Sequence, residues 1–307
     1  MTDNELSIAR YRGKAASYDA SAERTMALRR RTIALLQLVP GQTVLDVGAG
    51  TGLSYALLRD GVRETGRVLA FEQSPDMFAL AHRRVQREGW RNVWHTNEPA
   101  ETVRLPHTAD AVLFNYTHDI CRTPEAVANT LRLAATTGIV GGSIEDGSGD
   151  RAAPLYPLAL ATERIRAAVE AARDLPFPFT LTARAENYFI GQPDLADTIR
   201  RLQAYQEAGA DVLFAPGLRT REDIAAVVSS VDRPVNVLMG MEGVTLTVAD
   251  LEALGVKRIS VGGSFARAAY GAFLRAAKEV QDKGSFGYAD EAISGRDITR
   301  LLRKPPG

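Results

Sequence analysis

The stretch AVLFNYTHDICRTPEAVANTLRLAATTGIVGGSIEDGSGD, Ala111 to Asp150, decides how the chain is read. It opens on one apolar run, Ala111 to Tyr116, and reaches another at Ile139 to Ile144. Between them Thr123 stands as an N-cap, Pro124 occupies the first helical position and Gly138 provides the stop, so the spacing predicts strand, helix, strand. A short helix between two buried strands is the crossover of a parallel sheet. The vocabulary on its two sides differs, and the unit reads as a seam. No low-complexity tract or Gly/Ser linker marks the join, so the change falls inside a secondary-structure unit and not at a hinge.

Composition shifts at the same place. His82, His95, His107, His118, Trp90, Trp94 and the lone Cys121 all lie at or before position 121, and none of these types follows. The 307 residues, 45% of them hydrophobic, suffice for one large α/β domain or two modest ones. Thirty-seven basic residues balance 37 acidic ones, which gives no field favouring nucleic acid or a membrane surface. The start MTDNELSIARYR lacks an apolar core, and no later run is long enough to span a bilayer, so the expectation is a soluble cytoplasmic protein. One cysteine excludes an internal disulfide or a cysteine-built metal site, and a structural thiol is the simpler role for it.

Upstream of the seam, Leu28, Ile33 and Leu36 recur at helical spacing beside the run Arg29 to Arg31, which predicts an amphipathic helix over Ser21 to Leu38 with the arginines on its solvated face. Pro40-Gly41 breaks it. Thr43 to Val47 then reads as a buried strand running into Gly48-Ala49-Gly50-Thr51-Gly52 and a helix from Leu53. A glycine-rich turn between strand and helix lets backbone amides approach a ligand and aims the positive helix end at it. The next strand, Val68 to Phe71, ends in Glu72, where a carboxylate can accept from both hydroxyls of a ribose.

In the words VLDVGAGTG (Val44 to Gly52) and AFEQSP (Ala70 to Pro75) the first 120 or so positions resemble class I S-adenosylmethionine-dependent methyltransferases. The resemblance implies S-adenosylmethionine as cofactor. Asp46 would organise the turn and the methionyl amine, Gly48, Ala49, Gly50 and Gly52 would line the cofactor, and Glu72 with Gln73 would hold ribose and flank adenine. Asn97 or Glu98, after the strand Val93 to Thr96, would sit near the adenine amine. Asn115, Tyr116 and the pair His118-Asp119 fall where the family places residues around the methyl group, and Tyr11 and Tyr18 could cover the cofactor or simply pack. An imidazole beside a carboxylate has the chemistry of a general base. A loop pair bonded to backbone accounts for His118-Asp119 equally simply, and is preferred in the absence of any sign of a methyl acceptor.

Downstream, strand and helix alternate: strands near Phe179 to Ala183, Val212 to Phe214, Val235 to Leu238 and Arg258 to Val261 are separated by helices near Leu158 to Arg173, Leu195 to Ala208, Arg221 to Val231 and Val248 to Leu254, with a last helix near Phe265 to Lys283. Such alternation predicts a parallel sheet or (β/α) barrel with its chemistry at the C-terminal strand ends, where Glu145, Asp146, Arg184, Glu186 and Asn236 fall. The words GGSIEDGSGD (Gly141 to Asp150), LTARAENYF (Leu181 to Phe189), QAYQEAGADVLFAPGL (Gln203 to Leu218), RPVNVLM (Arg233 to Met239) and RISVGGSFARAAYGA (Arg258 to Ala272) resemble the isocitrate lyase and phosphoenolpyruvate mutase superfamily. The resemblance implies bond cleavage or formation beside a carboxylate or phosphonate, through an enolate held by Mg²⁺. Arg184 would grip the substrate anion, Glu145 and Glu186 would act on the metal, and Glu145, Asp146 and Asn236 would face the same cavity as catalytic groups. An ion pair at a strand end is the simpler alternative for Arg184 and Glu186.

Two departures stand out. THDICR (Thr117 to Arg122) replaces the family's acidic, glycine-rich metal loop, and the loop after Glu145 lacks the cysteine-bearing motif of isocitrate-cleaving members. The tail Gly284 to Leu302 resembles an extension that packs on a neighbouring subunit, which implies a homo-oligomer. Together these readings predict an α/β chain with a methyltransferase-like Rossmann half over 1–122 joined to a partial (β/α) TIM-type barrel over 123–307, its about nine strands forming one continuous parallel sheet. The functional expectations are a Mg²⁺-dependent lyase-type segment acting on small carboxylates, an S-adenosylmethionine-binding methyltransferase segment, or a non-catalytic recombinant chain with both sites incomplete.

Overall fold

A computed structural model describes residues 8–9, 11–12, 14–22, 25–115 and 120–302. Two compact units divide the chain: residues 1–237 with 247–258, and residues 238–246 with 259–307. Among the described residues no helix is long and apolar enough to cross a membrane.

The first unit begins with α1 (Ala15–Ala22) and α2 (Met26–Leu35), followed by β1 (Thr43–Val47), α3 (Tyr55–Val62), β2 (Arg67–Phe71), α4 (Pro75–Arg87), β3 (Val93–Thr96) and β4 (Ala111–Phe114). The strands are parallel in the order β3-β2-β1-β4, with Val44 opposite both Val68 and Ala111. Every residue of β1 is buried, because apolar layers cover both faces of this central strand. Val44 packs with Tyr55, Leu58 and Val62 on one face, while Leu45 and Val47 pack with Phe71, Val103 and Ala126 on the other.

The seam helix, α5 (Pro124–Ala135), starts as its sequence dictates: the Thr123 hydroxyl accepts from the Ala126 N–H at 3.2 Å, with Pro124 at the helix start. Gly138 follows at φ 82°. Ala126 is wedged into the core of the first sheet, and Asn129 donates to the carbonyls of Ala100 and Val103 at 2.7 and 3.1 Å. The helix also packs on α6 (Leu158–Arg173), where buried alanines on both helices permit close approach.

Beyond α5 run β5 (Gly141–Glu145), α6, β6 (Thr180–Arg184), α7 (Leu195–Glu207), β7 (Val212–Phe214), α8 (Arg221–Ser229), β8 (Val235–Leu238), α9 (Val248–Ala253) and β9 (Arg258–Ser260). They form a second sheet in the order β5-β6-β7-β8-β9, an open stretch of (β/α) barrel. The last two strands cross from one unit into the other: Lys257 N–H donates to Val235 O within the first, and Met239 N–H donates to Ser260 O within the second.

The nine strands therefore fall into two sheets, which corrects the continuous sheet expected from the sequence. β4 pairs with β1, and β5 pairs with β6; neither hydrogen-bonds the other. The physical reason lies in α5. A crossover within one sheet packs flat over the two strands it joins, whereas α5 is drawn to the Ala100–Val103 carbonyls on one side and to α6 on the other. Both edges stay open, with Gly141, Ser143 and Glu145 exposed along β5.

A second expectation fails at α2. Leu28 is 55% exposed, while Arg29, assigned to the solvated face, is buried and donates to Ser54 Oγ at 2.6 Å. Burial of the guanidinium is rewarded by a polar pocket under the glycine turn, which helical periodicity alone does not reveal.

The second unit carries α10 (Ser264–Lys283), a 3₁₀ turn (Gly287–Glu291) and α11 (Gly295–Leu302). Glu279 holds the turn by accepting from the Ser285 hydroxyl and from the N–H groups of Gly287 and Tyr288. No residue of α10 is buried; Phe265 and Phe273 are exposed.

Candidate functional site

The turn after β1 is shaped by Gly48, Gly50 and Gly52, at φ 63°, 59° and 76°, values that side-chain-bearing residues rarely adopt. At Gly52 a Cβ would also meet the Tyr55 ring at 2.7 Å. The turn is bound to the end of β2: Gly50 N–H donates to Glu72 Oε2 and Ser74 N–H to Oε1, each at 2.8 Å. Burial pushes the Glu72 carboxyl up from its usual range, and backbone N–H groups of Ser74, Gly50 and Gln73 oppose that shift.

Beneath the turn lies Asp46, buried, with Oδ2 lacking any hydrogen-bond partner. Burial raises its carboxyl to about 7; the Arg29 charge and a bond from Ser54 pull it down, and the Glu72 charge adds to the rise. Asn115, at the end of β4, has a buried Nδ2 without a partner. Tyr11, Tyr18, Ala49, Gly50, Glu72 and Gln73 line a cavity of about 40 Å³ that Asn115 also borders, space for only a few waters. On its outer side Asp19 of α1 ties the turn down, bonding the Thr51 hydroxyl and pairing with Arg84 at 2.5 Å.

Of the sequence-predicted residues, Gly48, Ala49, Gly50, Glu72, Gln73 and Asn115 border this cavity at the ends of β1, β2 and β4, while Asp46 and Gly52 are adjacent to the turn and outside the lining. Asn97 and Glu98 stand aside from the cavity lining: Asn97 Nδ2 donates to the Glu72 carbonyl at 2.7 Å, and Glu98 accepts from the Thr96 hydroxyl at 2.7 Å. His118, with Tyr116 and Asp119, lies outside the described residues. The donor set fits S-adenosylmethionine. A buried carboxylate oxygen awaits a cationic donor, a second carboxylate lies a strand away for ribose hydroxyls, and the left-handed glycines leave backbone open to approach.

At the ends of β5 and β6 a different arrangement holds. Arg184 donates through Nε to Glu186 Oε1 at 2.8 Å, pairs with it again through Nη2 at 2.7 Å, and lies 3.5 Å from Glu145 Oε2. Its guanidinium sits 5.1 Å from the centre of the Phe214 ring. Burial raises the Glu186 carboxyl, with the Arg184 charge opposing it. Asn236 is buried on β8, two strands away in the same sheet.

Asp146, expected among the catalytic groups, accepts three hydrogen bonds inside the protein. It accepts from Glu186 N–H at 2.8 Å, from Tyr205 at 2.6 Å and from Arg201 at 3.1 Å. Arg201 also bonds Asp197 at 2.7 Å. The cluster is a buried post beneath the strand ends, with Asp146 only 2% exposed.

These residues do not fit Mg²⁺. A hard cation needs several oxygen donors, but Glu145 and Glu186 face a guanidinium and Asp146 pairs with Arg201. Among the described residues no group of three or more His, Cys, Asp or Glu side chains could hold a metal.

Sequence reasoning missed three arginines. Arg29 underlies the glycine turn, Arg201 anchors Asp146, and Arg164 of α6 bonds the Cys121 carbonyl through Nε and Nη2 at 3.1 and 2.8 Å and the Glu145 carbonyl through Nη1 at 2.8 Å. The available signal was positional for Arg164, which sits on a helical face otherwise made of apolar or small residues, Ala161, Ile165 and Ala168.

A family model for phosphoenolpyruvate phosphomutase matches residues 91–281, and one for protein-L-isoaspartate(D-aspartate) O-methyltransferase matches residues 9–98. The chain is similar to a solved protein of Burkholderia cenocepacia J2315 that is provisionally assigned as a lyase/mutase, with 41% identity, 91% of this chain and 98% of that chain covered, and a TM-score of 0.58. It is 35% identical over 160 residues to an uncharacterized protein of Mycobacterium tuberculosis, covering 52% of this chain and 57% of that protein. It is also 29% identical over 183 residues to an oxaloacetate decarboxylase of Rhodopseudomonas palustris, covering 58% and 60%. The chain thus spans a little over half the length of these curated relatives. With the β-α alternation of its second sheet and a match over residues 91–281, the chain belongs to the phosphoenolpyruvate phosphomutase family, and it carries a methyltransferase-like N-terminal region.

Proposed function

We propose that the chain binds S-adenosylmethionine at the turn between β1 and α3, and that this is its principal ligand. The observation that carries the reading is the buried, unpartnered Oδ2 of Asp46 beneath three left-handed glycines. When bound, the cofactor supplies a methyl group on a sulfonium, an electrophile for a nucleophilic acceptor.

The protein's part follows from its own groups. Asp46 ionises to meet a cationic amine, with Arg29 and Ser54 limiting the cost of that buried charge. Glu72 exchanges backbone N–H partners for hydroxyl donors. Tyr11 and Tyr18 exclude water above the site, and a nucleoside enters a cavity of about 40 Å³ only when their side of it opens. Isothermal titration with S-adenosylmethionine and S-adenosylhomocysteine tests the reading. Micromolar binding is expected, weakened at least about tenfold, roughly 1.4 kcal/mol, by Asp46→Asn. No heat with the unaltered protein at high micromolar ligand overturns it.

A second reading gives the Arg184 site a small 2-oxo- or hydroxy-dicarboxylate and lyase-type chemistry. It is favoured by a partly exposed guanidinium at the C-terminal end of a barrel strand, in a chain similar to an oxaloacetate decarboxylase. Binding there requires the anion to displace Glu186 or Glu145 from the guanidinium. Pyruvate release from oxaloacetate above the uncatalysed rate, lost in Arg184→Ala, would support it; equal rates in both proteins would dismiss it. Exposure of Phe265 and Phe273 on α10 supports self-association of the chain, to be checked by light scattering across a concentration series.

A further inference from the structure

Between the open edges of β4 and β5 lies a cleft of about 520 Å³ that shares only Glu145 with the sites above. Its walls are mostly apolar: Phe114 from β4, Leu131 and Ala134 from α5, Ile139 from the following loop, Ile144 from β5 and Leu181 from β6. Its size falls within the range of small-molecule pockets.

One wall carries a buried cation. Arg164 is 6% exposed and lines the cleft, with its guanidinium 4.4 Å from the centre of the Tyr156 ring. Its three hydrogen bonds go to backbone carbonyls, those of Cys121 and Glu145, which supply dipoles and no net charge. No carboxylate lies within ion-pair distance of it among the described residues. The acidic side chain on the lining, Glu145, is turned toward Arg184 at 3.5 Å. A guanidinium offers five N–H donors, so two remain. A buried charge without a counter-ion is costly, and an anion that brings its own apolar body relieves that cost while covering the walls.

We propose that this cleft binds an amphipathic carboxylate, an aliphatic or aryl-alkyl acid of medium length, with its head on Arg164 and its body against Phe114, Leu131, Ile139 and Ile144. The ligand occupies the gap where two sheets fail to join, so the site exists only because of the seam. It depends on neither the Asp46 site nor the Arg184 site.

The test is titration of the full chain with octanoate, using octan-1-ol and octylamine as controls. Octanoate is expected to bind at least about tenfold more tightly than either control. Arg164 also staples two carbonyls, so Arg164→Lys is paired with Ile144→Trp, which fills the cleft from the β5 face that Ile144 shares with Gly142. Ile144→Trp is expected to abolish octanoate binding while its melting temperature stays within about 4 °C of the parent. Arg164→Lys is expected to bring octanoate down toward the octanol value. Equal binding of octanoate and octanol overturns the proposal, as does binding that survives Ile144→Trp. A dimer that dissociates on Ile144→Trp, in a protein that ignores octanoate, also overturns it and makes a second copy the occupant.

Discussion

Both sheets bring acidic side chains to the C-terminal ends of parallel strands, yet they treat them in opposite ways. After β1 and β2, Asp46 keeps one oxygen without a partner and Glu72 is held by backbone N–H groups. After β5 and β6, guanidinium groups engage Glu145, Glu186 and Asp146. The same topology yields an acid that can serve a ligand in one place and acids already serving the protein in the other. Strand-end position is therefore a poor guide to function until the lone pairs are followed to their partners.

The largest effect that could break this contrast concerns the Asp146 post. Arg201→Ala leaves a buried carboxylate facing only Tyr205 and a backbone N–H, and should cost about 3–5 kcal/mol in urea unfolding. A loss under about 1 kcal/mol would mean that the second sheet's acids are not structural after all.

Asp46 gives the next effect, and its sign distinguishes the two regions. Its carboxyl titrates near 7 when folded and at 3.8 by its ordinary value, so the folded protein holds this proton more tightly. The group's contribution to stability is greatest below about pH 4, falls as pH rises toward 7 and is flat beyond. Asp46→Asn should remove that slope, leaving the variant up to about 4 kcal/mol more stable at pH 8 and unchanged near pH 4. Methyl-donor affinity should move the other way in the parent protein, rising between pH 6 and 8 as the carboxylate ionises. Calorimetric melts and titrations at these pH values check both.

Gly52→Ala should follow, at about 1–3 kcal/mol, because φ is 76° and the added carbon would meet Tyr55 at 2.7 Å. Its cofactor binding should fall more than its stability. The smallest effect is expected at Arg184→Gln, about 1–2 kcal/mol, since Glu145 is half exposed and Gln keeps a donor for Glu186, whose side chain is 5% exposed and loses its charged partner. A much larger loss there would place Arg184 beside Arg201 as a structural anchor.

The strand and helix order was legible from periodicity and punctuation. Pro124, Thr123 and Gly138 bounded α5, and the apolar runs at Val212–Phe214 and Val235–Leu238 fell on β7 and β8. The glycine turn was legible because left-handed backbone leaves a residue-level trace. What was not legible depended on long-range pairing. Asp146 and Arg201 lie 55 positions apart, and Arg29 and Ser54 lie 25 apart, so no local pattern announces either contact. An arginine in a helix reads as solvated until its burial partner is known. The break between β4 and β5 escaped for the same reason: each run is apolar enough for a shared sheet, and only the packing of α5 decides that they separate.

The ladder between β1 and β4 has one more consequence. Its four pairings, from Val44 with Ala111 to Val47 with Phe114, join a strand inside the methyltransferase-matched range to a strand inside the phosphomutase-matched range. Family match and cohesion therefore part company: a scissile point chosen where the two matches meet would cut through a single folded layer. Dissection of this protein into independently expressed pieces has to follow its hydrogen bonds.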